Sequence, residues 1–184
     1  MTSTRDRVIL IVTGLPGTGK SSVADAAGRH LQAPVLAHDW AMSGLRNFPE
    51  VQDTLDAMGP PGHRQVGWSI LIALARAQLR RDLPVVLDGV ASAPELELCR
   101  SLADDEHARL VVILTACDDA AVHRSRIEGR QRGIPNWYEL DWDHVMRSRG
   151  SWTPIDADLV LDAIQPLEAN VDRLRSFLDR MVGT

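Results

Sequence analysis

Apolar residues along this chain fall into two alternating patterns. Short uninterrupted runs occur at 8–12 (VILIV), 35–39 (VLAHD), 84–89 (PVVLDG), 109–115 (RLVVILT) and 157–163 (ADLVLDA). A continuous aliphatic and β-branched run bounded by glycine or charge marks a strand buried on both faces. Between these runs the apolar residues recur at helical spacing. Residues 21–31 place Val23, Ala26, Ala27 and Leu31 on one stripe and end at "QAP". Residues 64–81 place Trp68, Leu71, Ile72, Ala75 and Leu79 on one face and most of their arginines on the other. "SAPELELCRSLA" opens with Ser92 as N-cap, Pro94 in the first turn and Glu95 three residues past the cap. Asp118 is expected to cap a helix that carries "HRSRIEGRQRG" toward its end, and residues 167–181 form a last amphipathic helix.

Two stretches are weakly patterned. Residues 45–58, interrupted by Pro49 and closed by the break "GPPG" at 59–62, read as a flap or short helices. Residues 133–154 gather Trp137, Tyr138, Trp142 and Trp152. Strands alternating with helices predict an α/β fold, a parallel sheet of about five strands covered on both faces, in a single domain over residues 1–184.

Composition adds limits. With 184 residues, 45% hydrophobic and 24% charged, the chain has the make-up of an ordinary globular protein. Its longest apolar run, 8–12, is far too short for a membrane span or a signal-peptide core, and polar residues precede it, so a cytoplasmic location is expected. Cys99 and Cys117 form no CxxC pair, and the six histidines lack metal-ligand spacing, so neither a disulfide framework nor a zinc site is indicated. A net charge of −5 argues against a broad basic face for nucleic acid but is compatible with a local basic cleft. Of 20 basic residues, 19 are arginine, and the one lysine is Lys20. A site that demands a compact point charge on a flexible stem, rather than a planar fork, accounts for that exception.

Lys20 sits in "GLPGTGKSS", residues 14–22. Gly14, Gly19, Lys20 and Ser21 satisfy GxxxxGK[ST] between an expected strand and an expected helix, the context that gives this pattern its meaning. Leu15, Pro16, Gly17, Thr18 and Ser22 complete the loop. Its glycines let backbone N–H groups face inward as an anion nest, the helix N-terminus adds positive dipole, and Ser21 supplies a hydroxyl for Mg²⁺. The ligands expected are therefore a nucleoside triphosphate, read as ATP, and Mg²⁺.

With this loop, an aspartate ending the second apolar run in "AHDW", another ending the third in "VVLDG", and an arginine-rich segment in "HRSRIEGRQRG", the chain resembles the small P-loop kinases related to nucleoside monophosphate kinases. That group includes chloramphenicol phosphotransferase, the zeta toxins, gluconate kinase and the kinase domain of polynucleotide kinase, and its members are often called AAA family ATPases. The resemblance spans nearly the whole chain. It implies a three-layer P-loop NTPase fold with a short arginine-rich lid, here about 124–154, and an ATP-dependent kinase that acts on a hydroxyl group.

Phosphoryl transfer needs a phosphate cradle, a metal, a group to orient and deprotonate the acceptor, and cations over the migrating group. Lys20 and Ser21 answer to the first two. Asp39, at the carboxyl end of a strand beside the loop, is the candidate base and an acceptor ligand, a role the resemblance also implies; its alternative is an ordinary turn cap. His38, expected on the opposite strand face, is given no role. Asp88 is a candidate for Mg²⁺ or for the acceptor hydroxyl, or else a solvated strand end. Arg126 and Arg130, four apart, are expected on one helical face and converge on a phosphate tail; Arg124 is a further nucleotide ligand, and Arg132 completes the cluster, whose alternative is a solvated arginine face. Gly129 and Gly133 flank the last two arginines as hinges of a closing lid. Arg46 and Trp137 are acceptor-contact candidates, Trp137 by stacking or simply by packing. Residues 40–64 are expected to shape the acceptor pocket, without a motif.

No NKxD motif for guanine recognition marks a GTPase, and no LSGGQ-type signature marks a transporter ATPase. The expected partner is a small hydroxyl compound such as an antibiotic, a nucleoside or a sugar. A polynucleotide 5′-hydroxyl kinase, a zeta-like toxin kinase and, outside enzymes, an ATP-controlled binding protein are the alternatives.

Overall fold

The computed structural model describes residues 7–150 and 152–182; the polar N-terminus expected over 1–6 lies outside the described residues. Five parallel strands, β1 (Val8–Thr13), β2 (Val35–Ala37), β3 (Val85–Asp88), β4 (Arg109–Ala116) and β5 (Leu159–Asp162), form one sheet in the order β2-β3-β1-β4-β5. The α/β expectation is met, including the strand count.

The central strand explains why both sheet faces are covered. Side chains alternate across a strand, so Val8, Leu10 and Val12 of β1 go to one face, against α1 (Lys20–Leu31) and α7 (Leu167–Val182). Ile9 and Ile11 go to the other, against Trp68, Leu71, Ala75 and Leu79 of α3 (Pro49–Leu79) and Leu96, Cys99 and Leu102 of α4 (Ala93–Asp105). Each such fully buried aliphatic side chain is worth about 1.5–3 kcal/mol relative to exposure. α4 begins with the expected capping box, the Glu95 carboxylate accepting the Ser92 N–H at 2.7 Å.

The segments around the site depart from expectation. β2 stops at Ala37, and His38 and Asp39 open α2 (His38–Leu45) instead of extending the strand. Of the flap or short helices expected over 45–58 the helical reading holds, but Pro49 is the first residue of α3 rather than an interruption, because a missing N–H costs nothing in a first helical turn. "GPPG" breaks that helix only locally, at Gly59 (φ 67°, ψ −175°). The cap of α5 (Ala120–Ile127) is Asp119, not Asp118; its carboxylate accepts from the N–H groups of Ala121 at 2.8 Å and Val122 at 3.0 Å. α5 ends at Ile127, and Gly129 (φ 80°) turns the chain off the helix axis, so Arg130 and Arg132 lie in a loop that leads to α6 (Trp142–Gly150). No helix among the described residues is long and apolar enough to cross a membrane.

Candidate active site

The loop after β1 is held from two sides. A Cβ on Gly14 (φ 145°) would lie 2.2 Å from the Thr115 carbonyl oxygen, so only glycine lets the loop start this close to β4. The Thr18 hydroxyl lies 2.7 Å from both the Leu15 carbonyl and the Thr115 hydroxyl. On the other side, a Cβ on Gly17 (φ 86°) would strike Ile127 at 2.6 Å, which packs the loop against α5. Gly19 (φ 85°) caps α1 and has open space where its Cβ would stand. Left-handed glycines at 17 and 19 and a helix N-terminus are the makings of an anion nest.

Lys20 bends back over this nest, its Nζ donating to the Leu15 carbonyl at 3.0 Å. Burial depresses its pKa, while the charges of Asp88 and Asp39 oppose that shift. Asp88 is 7% exposed at the end of β3; burial raises its pKa against the opposing influence of Lys20 and the Ser21 hydroxyl. Among the described residues no three His, Cys, Asp or Glu groups converge to hold a metal unaided. Ser21 and Asp88 suit Mg²⁺ held chiefly by phosphate oxygens and water, its usual state beside nucleotides.

Asp39 stands in the first turn of α2, where the helix dipole favours a carboxylate. His38 Nδ1 lies 3.4 Å from one of its oxygens and Arg132 Nη1 2.5 Å from the other. Burial alone would raise its pKa, but the His38 hydrogen bond and the charges of Arg132 and Lys20 outweigh it and hold the group below the usual carboxylate range. The opposite-face argument for His38 is thus corrected: it assumed strand alternation, and the chain here is already a helix. His38 is 14% exposed, its Nε2 has no hydrogen-bond partner among the described residues, and its ring edge covers the backbone of Gly67 in α3.

Arg132 joins lid to body. Its side chain, 9% exposed, donates to Asp39, to the Tyr138 carbonyl at 2.6 Å and to Glu139 at 3.2 Å, while its backbone N–H donates to Glu139 at 2.8 Å. Arg130 borders a cleft of about 600 Å³ and a second cavity of about 270 Å³ across the loop, and its side chain has no hydrogen-bond or ion-pair partner among the described residues. Arg126 borders the smaller cavity with Gly17, Thr18, Gly19 and Ser22. The shared helical face expected for Arg126 and Arg130 is absent because α5 ends between them, yet both reach that cavity. Arg124 reaches neither; it pairs with Glu128 at 2.6 Å on the exposed side of α5, and its assignment as a nucleotide ligand is not supported.

The larger cleft gathers Lys20, Ser21, Asp39, Asp88, Arg46 and Trp137. Arg46 lies over the rings of Trp137 at 5.3 Å and Tyr138 at 5.5 Å, which stack on one another at 4.9 Å. Sequence reasoning missed His123, which is fully buried with Nε2 2.6 Å from the Pro16 carbonyl. A carbonyl only accepts, so Nε2 carries the proton, and Nδ1 is left buried without a partner among the described residues. Burial depresses this histidine's pKa. A histidine amid the arginines of "HRSRIEGRQRG" gave no sign of facing inward.

Residues 9–155 match a family described as AAA domain. A UPF0200 protein of Pyrococcus abyssi is 31% identical over 144 residues, 74% of this chain and 76% of that one, and a UPF0200 protein of Thermococcus onnurineus is 25% identical over 192 residues, 96% of this chain and 99% of that one. Among solved structures, a sugar kinase from Janibacter matches with TM-score 0.69 and 17% identity over 95% of each chain. A gluconokinase from Sinorhizobium meliloti matches with TM-score 0.66 and 17% identity, over 98% of this chain and 95% of that one. A shikimate kinase from Aquifex aeolicus matches with TM-score 0.60 and 15% identity, over 94% and 96%. The chain thus has the fold of the small P-loop kinases.

Proposed function

Because the chain belongs to the AAA domain family, we propose that it works as an ATP-dependent kinase, transferring the γ-phosphoryl group to a hydroxyl of a small molecule. The observation that carries this reading is Asp39: a carboxylate held ionised in the same cleft as Lys20, Ser21 and Asp88. A protein that only senses or hydrolyses a nucleotide has no use for an acceptor carboxylate there. A cleft of about 600 Å³ is sized for a small molecule.

In this reading the loop N–H groups of residues 14–22 and Lys20 bind the phosphates, while Ser21 and Asp88 hold Mg²⁺. Bound ATP would supply the phosphoryl group, and Mg²⁺ held by Ser21 and Asp88 would offset the negative charge of its phosphates. The acceptor hydroxyl oxygen forms a bond to the γ-phosphorus as the bond from that phosphorus to the β–γ bridging oxygen breaks, and the hydroxyl proton passes to Asp39. A carboxylate below its usual pKa is a weak base, and that suffices, because the loose transition state of phosphoryl transfer makes little demand on the base. Arg130, unpaired beside the loop, and Arg126 supply positive charge over the migrating group, and Arg132 leaves Asp39 for it when substrates bind. Cys99 and Cys117, both buried and unpaired, suit a reducing, cytoplasmic setting.

The test is transfer of label from γ-labelled ATP with Mg²⁺ to a panel of antibiotics, nucleosides, sugars, sugar acids and 5′-hydroxyl oligonucleotides. Label is expected on a small hydroxyl compound. Label found only as free phosphate, or on the oligonucleotide alone, contradicts the proposal.

A further inference from the structure

The end of the cleft formed by α2 and α3 carries more guanidinium than counter-charge. Arg64 lines the cleft partly buried, and its side chain makes no hydrogen bond or ion pair with any described residue. Arg46, 17% exposed, has Asp56 at 3.8 Å as its one ion-pair partner among the described residues, a carboxylate that His63 also approaches at 3.4 Å. Elsewhere partly buried arginines are satisfied: Arg76 has Asp105 at 2.9 Å and Glu106 at 2.7 Å, and Arg132 has three acceptors. The Arg64 guanidinium, by contrast, is left to solvent or to a ligand in the cleft.

The backbone that brings Arg64 there is unusual as well. Gly59 adopts φ 67° and ψ −175°, a conformation essentially closed to other residues, and Gly59 and Pro60 themselves line the cleft. This kink starts the second half of α3, whose first turns carry His63 and Arg64. Arg46 is held by the stacked Trp137 and Tyr138 rings, which leave the in-plane N–H groups of a guanidinium free to donate.

We propose that the hydroxyl compound phosphorylated here carries an anionic group of its own, a carboxylate or a phosphate, and that Arg64 and Arg46 bind it. This rests on the kinase reading of the cleft. Anchoring the anion between these arginines positions the hydroxyl toward Asp39; the group transferred and the bonds exchanged are those given above, and the anchoring anion is unchanged by the reaction.

The first arm measures binding alone. With the nucleotide site filled by a non-hydrolysable ATP analogue and Mg²⁺, inorganic phosphate and D-gluconate are titrated by calorimetry into the protein and into R64Q and R64K, with thermal midpoints confirming that both variants fold. Saturable binding of one of these anions is expected, weakened about tenfold or more by R64Q, as for loss of a charge-assisted hydrogen bond, and less by R64K. No saturable binding, or equal binding by R64Q, overturns the proposal. Phosphate bound without gluconate, or the reverse, identifies the anion.

The second arm compares γ-label transfer to D-gluconate and D-glucose 6-phosphate with transfer to neutral D-glucitol. A preference for an anionic compound that falls about tenfold in R64Q supports the assignment. A preference for the neutral compound overturns it and leaves the kinase reading standing. Anion binding that depends on Arg64, with no transfer to any member of the wider panel, contradicts the kinase reading and leaves the anion site standing.

Discussion

Gly67→Ala perturbs the candidate base without touching the cleft's charged groups. A Cβ at position 67 would lie 2.2 Å from His38 Nε2 and 2.5 Å from Cδ2. Ordinary carbon contact is about 3.5 Å, so the imidazole must retreat by about 1.3 Å, carrying Nδ1 away from Asp39. Overpacking of this kind costs about 1–3 kcal/mol, and alanine in place of glycine inside a helix returns about 0.5–1 kcal/mol. The net loss of about 1 kcal/mol lowers the Tm by only a few degrees, at about 2–4 °C per kcal/mol for a chain of this size. The catalytic effect is expected to be larger, since a misplacement of about 1 Å at a reacting group costs on the order of 100-fold in rate. The assay is the rate of acceptor phosphorylation at saturating ATP, with nucleotide affinity and Tm measured alongside. Gly44→Ala in α2, where a Cβ meets nothing within 4 Å, is the control and is expected to keep the parental rate. If Gly67→Ala turned over at the parental rate with Tm and affinity intact, the idea that His38 holds Asp39 in place would be refuted.

Arg132→Gln removes the charge that, after the His38 hydrogen bond, does most to hold the Asp39 carboxyl low. A group with a depressed pKa loses its ionised form only as pH falls through that lowered value, so the acid limb of kcat/KM against pH lies below the ordinary carboxylate range and is expected to move up in the variant; an unmoved limb contradicts the pairing. The His123 pKa is depressed as well, but because burial disfavours the charged form rather than because partners favour it. Burial keeps its folded pKa below the unfolded 6.5, so below about pH 6.5 the unfolded chain takes up more protons and stability falls with acidification. Thermal melts from pH 7.5 to 5.5 should show that decline, with a shallower slope in His123→Gln. Arg124→Ala, which touches neither cavity, should leave nucleotide affinity unchanged in a direct binding titration, and a loss of about tenfold or more, as for a charge-assisted phosphate contact, would restore it as a ligand.

Much of the fold was legible because buried parallel strands write themselves as apolar runs: β1, β3, β4 and β5 lie where VILIV, VVLD, RLVVILT and LVLD occur. The phosphate loop was legible because its glycines serve a backbone shape that few other residues adopt. What escaped depends on contacts between distant segments. Asp39 was expected at a strand end because it follows the apolar run Val35–Ala37; the strand instead ends at Ala37, where α2 begins and packs on α3. Arg126 and Arg130 kept helical spacing in sequence, but Gly129 in a left-handed conformation separates them. Arg124 and Arg132 look alike in "HRSRIEGRQRG"; one pairs with its own helix and the other spans 93 residues to Asp39. His123 and Gly67 carry no motif, and their importance lies in what they touch.

The most direct test of phosphoryl transfer is a single-turnover comparison of the parental protein, Asp39→Asn and Lys20→Ala with γ-labelled ATP, Mg²⁺ and the acceptor found in the panel. The proposal predicts that Asp39→Asn binds ATP with parental affinity and leaves the label on ATP or free phosphate, while Lys20→Ala loses nucleotide-dependent activity altogether. Parental rates of acceptor labelling by Asp39→Asn would contradict it.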